Sequence, residues 1–156
     1  MVIENEVMAG VPVNVSTVTE NASGCEELSF SFLEEQEILF VNWTGLVPSK
    51  EMRKGYIQVL KQVQHYKARK ILLDLNKRSF IDSEDQRWVF SSVFPKMLRS
   101  IGANVFVAIV LPVDLFHDLV AELEGDELIH NNHFMIIQHS LYKEEALRWL
   151  NKVPYK

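Results

Sequence analysis

The chain has 156 residues, is 47% apolar and carries a net charge of −5, a size at which a single domain buries roughly 70% of the surface its unfolded chain exposes. Its one cysteine, Cys25, excludes an internal disulfide and any cysteine-rich metal knuckle. No apolar run reaches the ~20 residues of a membrane-spanning helix, and the first residues carry Glu4 and Glu6 in place of a basic leader segment, so the expectation is a cytoplasmic chain with no membrane span.

Residues 1–26 are rich in Val, Ser, Thr and Asn, and Pro12 opposes a central strand there. They read as a flexible or loosely docked extension, and residues 27–156 as the domain. Leu28, Phe30 and Phe32 alternate with serines, the period of a half-buried strand. Glu34, Glu35 and Gln36 turn the chain into a second strand at 38–43, which pairs antiparallel with the first. Ser49 is placed to cap a helix running to Tyr66, with Met52, Tyr56, Val59, Leu60 and Val63 on one face. Residues 71–75 form a buried strand. Ser83 and Gln86 have capping-box spacing, which starts a second helix near Glu84. Pro95 kinks or divides that helix, and Gly102 ends it. Residues 105–111 are apolar without alternation, as in a strand covered on both faces. A third helix follows Asp114, a last strand spans 134–137 and a last helix spans 141–150. The fold class is therefore α/β: a mostly parallel sheet with an N-terminal antiparallel hairpin and four helices.

Motifs of catalysis are missing. There is no glycine-rich phosphate loop and no Gly-x-Ser-x-Gly turn, so no cofactor is expected and the chain is read as a non-enzyme. Residues 50–100 carry twelve bases and five acids, whereas residues 1–49 carry eight acids and no base. Such a basic stretch can meet nucleic acid, but without interleaved exposed aromatics it reads as a solvated helix face, and no nucleic-acid partner is expected. His130, His133 and His139 have no acid or cysteine at ligand spacing and read as polar surface. His117 and Asp118 read as a surface pair. Asp74, Asp82, Glu84 and Asp85 form the densest acid cluster, and carboxylates are stabilised at a helix start by the helix dipole.

The segment Asp74-Leu75-Asn76 through Phe80-Ile81-Asp82-Ser83 resembles the strand–loop–helix signature of STAS domains, the SpoIIAA-like anti-sigma-factor antagonists. In that family an Asp-Ser-Ser-Gly run opens the helix. Trp88-Val89, Phe94-Pro95-Lys96-Met97 and Ala146-Leu147-Arg148-Trp149-Leu150 are similar to a branch of small bacterial STAS/SEC14-like proteins, and the likeness spans residues 28–152. The resemblance implies a SpoIIAA-like fold and a bacterial, non-enzymatic regulatory module that binds a protein partner, with a homodimer compatible. The family's switch is a phosphorylated Ser, but Glu84 stands at that position and Asp85 replaces the Gly, so a fixed charge takes the place of the switch. The expected binding residues are Lys77, Arg78, Asp82, Ser83, Glu84 and Asp85. The alternatives are a small-molecule or lipid binder whose apolar pocket is lined by Trp43, Trp88, Phe90 and Phe94, and an enzyme using the Asp74/Asp82 region.

Overall fold

All six side chains of Val105–Val110 are buried, none more than 2% exposed. Such a strand has to lie inside a sheet with a layer on each side, and in the computed structural model it does. The described residues are 15–18, 27–79, 81–116 and 127–153; Phe80, His117, Asp118 and Cys25 fall outside them.

Seven strands form one sheet: β1 (Val15–Val18), β2 (Glu27–Leu33), β3 (Ile38–Gly45), β4 (Lys70–Arg78), β5 (Val105–Val110), β6 (Glu127–His130) and β7 (His133–Ser140), in the order β1-β2-β3-β4-β5-β7-β6. β3, β4, β5 and β7 are parallel, and β2 pairs antiparallel with β3, as the alternation and the short link required. The two outer strands were not expected. β1 pairs antiparallel with β2 inside the segment read as an extension. β6 pairs antiparallel with β7 across Asn131-Asn132, read from sequence as a loop. Both asparagines have positive φ, 51° and 68°, the geometry of a two-residue type I′ hairpin turn.

The helices are α1 (Ser49–Tyr66), α2 (Ser83–Trp88), α3 (Phe94–Ile101) and α4 (Lys143–Lys152), with residues 113–116 also helical. Alternate strand residues feed two cores. Val41, Trp43, Leu73, Val107 and Met135 pack under α1, α2 and α3. Ile38, Leu72, Phe106, Ala108 and Val110 pack against Ala146 and Leu150 of α4.

Three local expectations need correction. Ser49 is the first residue of α1 and not its cap; Pro48 holds the cap position with no side-chain bond. Ser83 is likewise the first residue of α2, after Asp82, and no side-chain cap bond forms there. The capping box is also missing, because Gln86 is only 2% exposed and its Nε2 has no hydrogen-bond partner. Both serines sit one residue too late, where a side chain no longer reaches the free N–H groups of the first turn. Elsewhere the expectation holds. Pro95 divides the second helix: α2 passes into α3 through a π-helical turn, Val89–Val93, in which Phe94 N–H donates to Val89. Proline lacks an N–H and its ring crowds the carbonyl one turn back, and the wider turn removes that conflict. Gly102 ends α3 at φ 68°.

Candidate functional site

The segment singled out by sequence lies beyond the carboxyl end of β4. That is the side of a parallel sheet where α/β folds hold ligands. A bulge decides which of its side chains turn inward. Asn42 pairs with Asp74 and Thr44 with Lys77, so Leu75 and Asn76 together oppose Trp43. The extra residue shifts the alternation by one. Asp74 stabilises the bulge by accepting a hydrogen bond from the Asn76 N–H at 3.0 Å. Beyond the bulge Arg78, opposite Gly45, shares the face of Trp43, and its guanidinium lies 5.4 Å from that ring's centroid. Lys77 points to the other side and is exposed.

The six expected residues therefore separate. Arg78 is 5% and Asp85 6% exposed. Asp82 and Ser83 are half-buried, and Lys77 and Glu84 face solvent. Asp85 accepts a 2.6 Å hydrogen bond from the Ser49 hydroxyl, which ties the first turn of α2 to the first residue of α1. Between these elements lies Tyr56, 1% exposed, with no hydrogen-bond partner for its hydroxyl. Burial pushes its phenol up to about 12, Arg78 acting against that rise and Asp85 with it, so both charges sit near the ring's polar end. Trp43 and Tyr56 pack with centroids 5.0 Å apart, and Arg53 covers Trp88 at 4.5 Å. The loop thus has a rigid underside of buried charge and aromatic rings and an exposed outer side.

Sequence reasoning missed Ser49 and Tyr56 as parts of this site. The signal was Gly55, an isolated glycine inside a helical pattern, which usually has a packing reason. A Cβ there would stand 2.5 Å from Trp43 Cη2 and Cζ2, so Gly55 lets α1 lie directly on the tryptophan.

Asp74 belongs to the opposite face of the sheet, near the start of α4. Burial raises its pKa, while the Asn76 hydrogen bond, Lys143 and Lys77 lower it. Asp82 is not among the groups that act on it, so these two carboxylates do not form a pair. The aromatics named for an apolar pocket pack with one another. Trp43 and Phe94 are 2% and 1% exposed, Tyr56 packs edge-on to Trp88, and Phe90 packs edge-on to Phe94. His130 and His133 face each other across the hairpin turn. His139 lies six residues further along β7, roughly 20 Å away at ~3.3 Å per residue, and its ring stacks near Phe90. Among the described residues no three His, Cys, Asp or Glu side chains converge on a metal position, and no helix is long and apolar enough to cross a membrane.

Comparison of the chain with family models, with curated proteins and with solved structures gave no match.

Proposed function

We propose that the chain is a STAS-like, non-enzymatic regulatory module that binds a protein partner through the outer side of the loop after β4 and the exposed side of the helix that follows. One observation carries this reading. The bulge and the Ser49–Asp85 bond sort the loop's charges, holding Arg78 and Asp85 inside and presenting Lys77 and Glu84 outside. A surface held on a rigid scaffold binds without a large ordering cost. Glu84 lies in the first turn of α2, where the helix dipole favours its charge, so it displays a permanent negative charge at no structural cost.

The geometry also decides which substitutions can test the reading. Restoring the family's glycine at Asp85 would remove the acceptor of the Ser49 hydroxyl and a buried side chain. Glu84→Ser and Lys77→Glu alter only exposed groups. A photo-crosslinking residue placed at position 79 should capture a specific partner from native lysate, whereas one placed at Glu35 on the far hairpin should not. Glu84→Ser and Lys77→Glu should each weaken that capture while the melting temperature stays unchanged. Identical capture from both positions, unaffected by either substitution, would remove the loop as the binding surface.

A further inference from the structure

We propose that the outward faces of α1 and α3 form a docking surface for an acidic protein partner, centred on Ile57. The inference extends the surface described above and rests on that reading for the partner being a protein.

The buried side of α1 is Met52, Gly55, Tyr56, Val59 and Val63. At ~100° per residue Ile57 lies opposite that side, at the crest of the helix, and Lys50, Arg53, Lys54 and Lys61 all lie within about 60° of it. All four are exposed, and Ile57 is itself 51% exposed. A large apolar side chain at the crest of a solvated helix gains nothing from its own fold. α3 lies beside α1 in the same layer and adds exposed Lys96 and Arg99. Arg53, reaching across to Trp88, joins the two helices into one surface. The described acids on this surface are few. Glu51 is largely covered and lies 3.9 Å from Lys54, and exposed Glu84 stands at the end of α2. Such a concentration of bases in a chain of net charge −5 is a local field pointing at an anionic partner.

The form of the patch selects the class of partner. A single apolar residue ringed by charge has the layout of a protein interface, with an apolar centre and a polar rim. Two adjacent helices about 27 Å long present roughly 500 Å² in projection, close in scale to the ~800 Å² of accessible surface that one side of a standard interface buries. A single-stranded nucleic acid needs exposed rings to stack on, and here Arg53 covers Trp88. A lipid surface needs several bulky apolar side chains, and the centre of this patch has one.

The test uses the full chain and a fluorescent 20-residue amphipathic peptide of glutamate and leucine. Binding should weaken as salt rises. Arg53→Glu with Lys54→Glu should reduce affinity at least about tenfold, and Ile57→Ser about tenfold with the salt dependence retained. Lys143→Glu with Arg148→Glu, away from this face, should change affinity by less than about twofold. Hydrogen exchange should show new protection over residues 50–61. Absence of peptide binding, or equal binding by all variants with unchanged melting temperatures, would overturn the inference. So would tighter binding to oligothymidylate or to phosphatidylglycerol vesicles through the same residues. The crosslinking result at Glu84 and Lys77 is independent, so the loop reading stands or falls separately.

Discussion

Tyr56 brings a polar atom into a place that gives it no partner. A buried hydroxyl without a hydrogen bond costs about 1–3 kcal/mol, so Tyr56→Phe should leave stability unchanged or raise it by about 1 kcal/mol, read as the midpoint of urea unfolding. A fall of more than about 1 kcal/mol would mean that the hydroxyl has a partner after all. Its neighbour Gly55 gives the opposite result to helix propensity. Propensity favours alanine by about 1 kcal/mol, but the added Cβ meets the Trp43 ring at 2.5 Å, and overpacking of this kind costs about 1–3 kcal/mol. Gly55→Ala should therefore destabilise. The two serines invert in the same way. Ser83 makes no cap bond, so Ser83→Ala should change stability by less than about 0.5 kcal/mol and not by the ~1 kcal/mol of a lost N-cap. Ser49→Ala leaves a buried carboxylate short of a donor and should cost about 1.5–3 kcal/mol. The sequence marks both serines as helix starts, and that is correct. It cannot show that the bond of one of them crosses to a residue 36 positions away.

At the scale of elements, legibility followed periodicity. α1 has the bounds its apolar spacing requires, and β5 lies where its unbroken apolar run requires. β6 lacked such a mark, being four residues long with Ile129 76% exposed; only the Asn-Asn pair announced its turn. Because Asn132 sits at φ 68°, Asn132→Gly should stabilise the hairpin by a few tenths of a kcal/mol, whereas Asn132→Val should cost about 1–2 kcal/mol. Differential scanning calorimetry reads both, and a stabilising valine would show that the turn had changed type. The π turn was legible only as a break. Pro95 forbids a regular helix there, but whether the chain kinks or widens depends on keeping Val89, Val93, Phe94 and Met97 on the buried side, and that is a property of the sheet beneath.

For the whole molecule, the order of strands was readable because α/β alternation leaves few right-handed arrangements. The inner and outer assignment of charges was not readable, since it depends on pairing between β3 and β4. One consequence for the whole fold is its response to acid. Burial pushes His139 down to about 4 from its ordinary 6.5. The unfolded chain therefore takes up a proton that the native state refuses, and stability falls as pH drops through that interval, by at most about 1.4 kcal/mol per pH unit. Asp74, with its raised pKa, acts in the opposite sense toward the acid end. The interval from pH 6.5 to 5 thus isolates the histidine. Urea midpoints should decline across it in the wild type and stay nearly flat in His139→Phe. A decline of equal slope in both would assign the effect to another group.

The bulge at Leu75 and Asn76 makes the chemistry of this surface depend on chain length as well as on residue identity. Removing Asn76 alone would restore regular alternation beyond Asp74, so that the lysine and the arginine exchange places. The lysine would then lie beneath the helices and the guanidinium would meet solvent. Phenylglyoxal, which modifies accessible arginines, should label Arg78 in such a deletion and spare it in the intact chain. An ancestor that gained or lost one residue here would have exchanged its buried cation for its displayed one in a single step.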